Sequence, residues 1–403
     1  MDNVMEEIQP ASGPFRDPSP FTVEAAGHSI GFYAGGPDRL ARLLRLVDEA
    51  QDSLRIVFYI YEPDESGTRL RDALVAAARR GVAVTLILDG FGASADAAFF
   101  APLTEAGGRY VCFQARWSRR YLIRNHQKIV LVDGRIAMLG GFNIADSYFA
   151  LPEGDAWSDL AFTVEGPVVA RIADWFSELE SWSEAEKGQF RAIRRSVREW
   201  DAGRGPVRLL VGGPTRGLSS WARVVSEDLI YGKQLTMIMA YFSPPRRLLR
   251  RIRRIAQTGD VALLFPARSD NAATVGASRL LYRKLIRAGA RITEFTPCKL
   301  HSKLIVLDDA VYLGSANLDM RSLYLNLEIV LRIDDAALAK RMRAFAAHYI
   351  KAGQEITAQV HRAQGGWFTR LRWLASWLLV AVIDYSVTRK LNLGLAPKGG
   401  DQP

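Results

Sequence analysis

The feature that most constrains this 403-residue chain is that it repeats itself. Each repeat opens on a Gly-Gly-Pro turn, at Gly35-Gly36-Pro37 and again at Gly212-Gly213-Pro214. In the first repeat the helical pattern Leu40, Leu43, Leu44, Val47 leads into an apolar strand, Leu54 to Tyr61, stopped by Pro63. A helix from Gly67 to Arg80 follows, then the strand Val82 to Leu88, another helix ending at Ala106-Gly107-Gly108, and a short strand, Arg109 to Phe113. The second repeat runs through a helical segment to Leu229 and the strand Leu235 to Tyr241, stopped by Pro244-Pro245. After it come an Arg-rich helix (Arg246 to Thr258), the strand Val261 to Phe265, a helix reaching Ala288-Gly289, and the strand Arg291 to Phe295. Strands that read as near-continuous apolar runs are covered on both faces, and strand–helix alternation builds such covered sheets. The pattern therefore predicts a duplicated α/β domain whose parallel order continues into the motifs that come next. The boundaries expected are 21–203 for the first domain and 204–360 for the second. They are flanked by an acidic, proline-rich disordered tail at 1–20 and a distinct C-terminal segment at 361–403.

Composition narrows the class. Hydrophobic residues make up 49% of the chain and aromatics 10%, enough for more than one buried core. The two cysteines, Cys112 and Cys298, are far apart, so neither a disulfide framework nor a structural zinc site is expected. Cys298 and His301 have the spacing of half a metal site, but a second pair is missing. No metal and no cofactor are implied. The net charge of +10 favours polyanionic partners, anionic lipid or nucleic acid, without choosing between them. The N-terminus has neither a basic nor an apolar region of the kind a signal peptide needs. No stretch reaches the roughly 18 to 20 apolar residues of a membrane span; Trp373 to Ile383 comes nearest.

After the short strand of each repeat stands the same phrase, His-x-Lys-x4-Asp: His126-Gln-Lys128-Ile-Val-Leu-Val-Asp133, and His301-Ser-Lys303-Leu-Ile-Val-Leu-Asp308. Each is followed by a strand and a glycine–asparagine turn, Gly140-Gly141-Phe142-Asn143 and Gly314-Ser315-Ala316-Asn317. Residues i and i+2 of a strand face one side, so each His–Lys pair is expected to point at one ligand. A lone His-x-Lys is more often a surface accident. Two of only five histidines in one eight-residue pattern, at equivalent places of a duplicated fold, are not. His28, His348 and His361 lack that context.

Two imidazoles and two ammonium groups meeting at one point suit a phosphodiester. One neutral His attacks phosphorus, the other protonates the leaving alcohol, and the lysines stabilise the non-bridging oxygens. The catalytic set is thus His126, Lys128, Asp133, His301, Lys303 and Asp308. Within it the aspartates have the wrong strand parity to touch substrate, and anchoring a turn or pairing with a buried cation is expected of them. Asn143, Asn317 and Ser315 are expected to donate hydrogen bonds alongside the lysines. A nucleophilic His also needs an acceptor on its other nitrogen. Each half offers a downstream carboxylate for this, Asp159 in Trp157-Ser-Asp-Leu and Glu328 in Asn326-Leu-Glu-Ile.

These phrases, with Arg124-Asn-His-Gln-Lys-Ile-Val130 and Gly314-Ser-Ala-Asn-Leu-Asp-Met-Arg-Ser-Leu323, resemble the phospholipase D superfamily, and within it the bacterial cardiolipin synthases, from about residue 28 to 352. The resemblance implies two similar α/β/α sandwich domains with the active site at their interface. It implies phosphatidyl transfer through a covalent phospho-histidine, from phosphatidylglycerol or a related phospholipid to a second phospholipid. It makes His126 the nucleophile and His301 the acid, although the near symmetry of the motifs leaves the reverse open. Many such synthases carry two N-terminal transmembrane helices. This chain looks more like a shorter branch that begins with the catalytic domain, placed peripherally on the cytoplasmic face of a bacterial membrane.

Access to lipid is expected from Trp367 to Ile383, whose Trp, Leu and Arg residues suit an interfacial helix before a tail with Arg389 and Lys390. The alternative is a helix packed on the protein's own core. Arg246 to Arg254 adds either attraction to an anionic membrane surface or a solvated helix face. Phospholipids, phosphatidylglycerol foremost, and an anionic membrane are the partners expected; nucleic acid and an obligate protein partner are not. Three other readings stay open: a hydrolytic phospholipase D using water as acceptor, a nuclease, and a non-catalytic polyanion- or membrane-binding module.

Overall fold

The computed structural model describes residues 14–113, 123–184 and 189–383. Two eight-stranded sheets dominate it. The first runs, edge to edge, Phe21–Ala25, His28–Tyr33, Ala161–Glu165, Ile136–Gly140, Ile129–Val132, Ser53–Phe58, Ala83–Asp89, Arg109–Phe113. The second runs Val207–Gly212, Glu328–Asp334, Ala310–Gly314, Lys303–Leu307, Gln234–Met239, Asp260–Pro266, Arg291–Phe295, Gly353–Glu355. From His28–Tyr33 and Val207–Gly212 onward, the two orders match strand for strand. They differ only in which edge takes the extra strand, Phe21–Ala25 in one sheet and Gly353–Glu355 in the other.

The parallel order expected to run through the whole repeat stops before the motif. Ser53–Phe58, Ala83–Asp89 and Arg109–Phe113 are parallel neighbours, but Ile129–Val132 lies antiparallel on Ser53–Phe58 and on Ile136–Gly140. Lys303–Leu307 does the same against Gln234–Met239 and Ala310–Gly314. The cause is local. Asp133 (φ 51°) and Gly134 (φ 62°) form a tight turn of left-handed residues, and strands joined by so short a connection can only be antiparallel. Asp308 has the same conformation, at φ 50°. The reversal brings the start of each motif strand beside the ends of its neighbours, so residues from distant stretches converge at one end of each sheet.

Side chains alternate between two cores, as the strand period requires. Leu54, Ile56 and Phe58 pack outward against Leu43, Val47, Leu70 and Leu74 of the helices Gly36–Glu49 and Glu65–Arg79. Val57, Leu131 and Leu139 face inward, into a core that also holds Ile238, Val306 and Leu313 of the second sheet. The helices Val168–Glu184 and Ala336–Lys351 fill this shared layer through Ile172, Trp175, Phe176, Met342 and Tyr349. One continuous apolar core therefore ties the halves together. The Gly-Gly-Pro turn has a packing reason: a Cβ on Gly36 would lie 2.3 Å from the carbonyl oxygen of Ala150.

The segment 1–20, expected as a disordered tail, is described from residue 14, and there it is tied down. Phe15 packs edge-on to Phe295 at 5.1 Å, and Asp17 accepts a hydrogen bond from the Tyr349 hydroxyl at 2.6 Å. The proline-rich composition hid one aromatic anchor and one half-buried acceptor. Arg389 and Lys390 lie outside the described residues.

Candidate active site

Neither motif histidine sits on the strand expected to carry it. His126 precedes Ile129–Val132, and His301 precedes Lys303–Leu307. Each is instead held by the other half of the molecule. The amide of His126 donates to the carbonyl of Leu327 at 3.0 Å, and the amide of Leu327 donates to the carbonyl of Arg124. On the other side, Lys299–Leu300 pairs in parallel with Trp157–Ser158, and the amide of His301 donates to the carbonyl of Ser158 at 2.7 Å. The seam between the halves is thus a pair of short backbone ladders, one behind each histidine.

The ladders deliver the carboxylates crosswise. Glu328 follows Leu327, and its Oε2 lies 3.1 Å from Nδ1 of His126. Asp159 follows Ser158, and its Oδ2 lies 2.7 Å from Nδ1 of His301. Each imidazole is served by the carboxylate of the opposite repeat. A proton on Nδ1 donated to the carboxylate leaves Nε2 with a lone pair, the tautomer a nucleophile or base needs. Burial pushes the carboxyl of Asp159 up, but Lys303 and His301 outweigh it and hold it below its ordinary range, so it is an ionised acceptor.

The lysines are arranged alike. Each ammonium folds back to donate to the carbonyl of its own histidine, Lys128 to His126 at 2.7 Å and Lys303 to His301. Burial is the main cause that lowers Lys128 to about 7 and Lys303 to about 8, and the Lys303 ammonium adds to the lowering at Lys128. Burial likewise lowers both imidazoles, with Glu328 opposing it at His126; at His301 Lys303 adds to burial and brings the value to about 3. Two cations crowded into one desolvated spot favour an anion between them. Tyr59 stands 5.2 Å from the ring of His126, and Trp157, Tyr148 and Tyr241 stand 5.3, 5.4 and 6.1 Å from that of His301. Among the described residues no three His, Cys, Asp or Glu side chains gather as a metal ion would require.

Other expected site residues have different work. Asp133 lies at the far end of its strand from His126 and accepts from the amides of Gln51, Asp52 and Ser53; Asp308 accepts from those of Lys233 and Gln234. They anchor the start of the neighbouring strand and do not belong with the reacting groups. Asn143 and Asn317 were expected to meet substrate. In the structure Asn143 accepts from the amide of Ile60 and donates to the Tyr148 hydroxyl, and Asn317 accepts from the amide of Tyr241, bonds that fix each carboxamide through its oxygen. Ser315 donates to Glu328 Oε2 at 2.5 Å, so it fixes that carboxylate. Its counterpart is Gly141, where a Cβ would fall 2.6 Å from Asp159 and 2.9 Å from the Lys303 side chain.

One contributor was not foreseen. Arg39 is fully buried and donates to the carbonyls of Ala34, Asp159, Tyr148 and Trp157, clamping the strand that carries Asp159. The only sequence signal was a lone cation beside the apolar stripe of its helix, which reads equally as surface.

The profile described as "Cardiolipin synthase, PLD-like domain" matches residues 43–180 and 231–349, more than half of the chain. The chain belongs to this family. A cardiolipin synthase 1 of Bacillus cereus is 32% identical over 73% of this chain and 61% of its own length. The major cardiolipin synthase of Bacillus subtilis is 29% identical over 88% of this chain and 76% of its own length. The chain thus spans about three fifths of the first of these relatives. Among solved structures, the phosphatidylserine synthase of Haemophilus influenzae superposes with a TM-score of 0.68 at 14% identity, covering 90% of this chain and 97% of that one. A polyphosphate kinase of Porphyromonas gingivalis gives 0.55 at 16% identity, over 83% of this chain and 49% of that one. At these identities the likeness is one of fold: a duplicated PLD-like α/β architecture.

Proposed function

We propose that this chain is a phosphatidyltransferase that makes cardiolipin, using phosphatidylglycerol or a related phospholipid as donor and a second phospholipid as acceptor. The observation that carries the reading is the crossed pairing of His126 with Glu328 and His301 with Asp159 around Lys128 and Lys303. The names of the relatives supply the substrate class.

The chemistry follows from the tautomers. With the phosphodiester of the donor between the lysines, Nε2 of His126 attacks phosphorus, the bond to the leaving alcohol breaks, and His301 gives that oxygen a proton. The negative charge of a bound phosphodiester opposes the lowering of His301 by burial and Lys303, since a neighbouring anion favours imidazolium. The acceptor hydroxyl then yields its proton to His301 and attacks phosphorus, and the N–P bond breaks to restore His126. Which histidine takes which part rests on the family resemblance.

The membrane is reached through the C-terminal helix Trp367–Trp377. Its Trp373 is buried, with its ring 5.2 Å from that of His361. The opposite stripe, Trp367, Leu371, Leu374 and Leu378, is exposed, as is Phe368. Neither helix-on-core packing nor interfacial docking excludes the other: one side packs and the other offers aromatic and aliphatic area beside Arg370 and Arg372, as an anionic bilayer surface requires. No helix among the described residues is long and apolar enough to cross a membrane.

The test is mass spectrometry of the lipids made by the purified protein on phosphatidylglycerol vesicles. Cardiolipin from the wild type, and none from His126→Ala or His301→Ala, is the expected result. Phosphatidic acid alone would make the chain a hydrolase, and full turnover in either variant would end the proposal.

A further inference from the structure

The reacting groups lie at one end of both sheets, and that end also carries apolar side chains in water. Outside the C-terminal helix, the exposed large apolar residues among the described ones are Phe91 (65%), Leu151 (59%), Leu218 (50%) and Tyr231 (81%). Three of the four come from loops at the site end. Phe91 stands two residues past Asp89, whose carboxylate accepts from the amide of Asn125 beside His126, and the guanidinium of Arg124 lies 3.3 Å over its ring. Leu151 follows the short helix Asp146–Phe149, whose Tyr148 ring is 5.4 Å from that of His301. Leu218 belongs to the loop that leaves Val207–Gly212, and Gly212 is the register partner of Glu328. Tyr231 is at the opposite end, where its helix closes ahead of Gln234 and the anchor Asp308. Single apolar residues scattered over a surface are ordinary; three loops from both repeats placing one each around the same end are not a scatter. The C-terminal helix runs to this end as well. It packs on Ala272–Ile286, which starts just past Asp270, the acceptor of the Tyr241 hydroxyl. A Cβ on Gly276, in the first turns of that helix, would fall 2.7 Å from the Ser376 hydroxyl oxygen, and Trp377 packs on Met320 and Leu325. The exposed Leu378 and Leu379 come directly after.

We propose that the site end of the sheets is itself a bilayer-facing surface, on which Phe91, Leu151 and Leu218 enter the headgroup–acyl boundary and Leu378 and Leu379 meet the same plane. The inference rests on the phospholipid reading above and deepens it, by fixing which way the molecule faces the membrane. The substrate supplies the physical reason. Its phosphodiester sits at the bilayer surface, on acyl chains whose every methylene resists transfer to water. His126 and His301 are buried. The phosphorus reaches them only if this end abuts the bilayer or the whole lipid leaves it, and an apolar rim favours the first course. Charge is not what leads the contact. Glu153 and Asp155 share the loop of Leu151, and Asp155 is paired with Lys299 at 3.3 Å. Apolar insertion leads it, and insertion survives salt.

The test compares one donor in two physical states. Wild type, the double variant Leu151→Glu/Leu218→Glu, and Tyr231→Glu are given long-chain phosphatidylglycerol in vesicles and dihexanoyl phosphatidylglycerol as dispersed monomers. Consumption of the donor is measured. The double variant is expected to lose at least about tenfold on vesicles, at high salt as at low, and nothing on monomers. Tyr231→Glu, at the far end, is expected to lose on neither. Vesicle turnover by the double variant equal to that of the wild type overturns the surface. An equal loss on monomers overturns it too, because the two leucines would then serve the fold or the chemistry and not the bilayer. The products are identified separately: phosphatidic acid in place of cardiolipin overturns the two-lipid reading and leaves the comparison of vesicles with monomers intact.

Discussion

His126 and Glu328 stand 202 residues apart in the chain and 3.1 Å apart in space. The reciprocal pair, His301 and Asp159, is separated by 142 residues and 2.7 Å. Each repeat therefore carries the histidine of one pair and the carboxylate of the other, and neither repeat holds a complete pair alone.

Replacing a carboxylate by its amide keeps shape and removes the acceptor that sets the tautomer. Glu328→Gln and Asp159→Asn are each expected to lower turnover by about 10² to 10⁴-fold with the thermal midpoint little changed. With a p-nitrophenyl phosphodiester, whose leaving group needs little protonation, Asp159→Asn is expected to keep forming phosphoenzyme and Glu328→Gln is not. The reverse outcome in rapid-quench trapping would exchange the roles of the two histidines.

The lysines set a basic limit on anion binding. Lys128 is lowered to about 7 and Lys303 to about 8, so their ammonium charge is lost as pH rises through that interval. Dimethyl phosphate, whose own charge is constant there, is expected to bind at least about tenfold more weakly at pH 9 than at pH 6.5. Calorimetry reads this directly. Equal affinity at both values would mean the lysines do not hold the anion.

Burying His301 also costs stability in acid. His301 falls from 6.5 to about 3 on folding, so between those values the unfolded chain binds the extra proton. Stability then drops as pH falls below 6.5. The thermal midpoint is expected to decline from pH 7 to pH 5, with a shallower slope in His301→Asn. An unchanged slope would place the titration elsewhere.

Arg39 is expected to matter as much as any residue of the motifs. Its guanidinium binds carbonyls of four residues, and removing one partner of such a buried network leaves the others unsatisfied. Arg39→Met should lower unfolding free energy by about 3 to 5 kcal/mol. Chemical denaturation measures it, and a loss below the range of surface substitutions would contradict the clamp.

The C-terminal helix separates docking from folding. Leu371→Glu and Phe368→Glu lie on the exposed side and should reduce pelleting with anionic vesicles while leaving the thermal midpoint unchanged. Trp373→Glu, on the buried side, should lower the midpoint. Undiminished pelleting of the double exposed-face variant would remove this contact with the bilayer.

Much of this protein was legible in one dimension. Repeated local patterns report local physics: apolar runs give strands, Gly and Pro punctuate them, and two copies of His-x-Lys-x4-Asp name the reacting groups. Asp133 and Asp308 were set apart from those groups by strand parity, but the histidines lie off the strand, and what separates the aspartates is their place past its far end. The antiparallel turn at Asp133-Gly134 was readable in principle, but the parallel order of the preceding strands was carried past it.

Pairing across the seam was not legible, because hydrogen-bond partners between segments 142 or 202 residues apart leave no periodic trace. The chain by itself determined the duplication, the kind of strands and the two imidazoles with their lysines. Only the folded molecule decided which carboxylate serves which histidine, that Ser315 bonds Glu328, and that Arg39 clamps the strand carrying Asp159. Those assignments depend on where two independent sheets meet. That meeting is set by the shared core around Trp175, Met342 and Tyr349, not by any short stretch of residues.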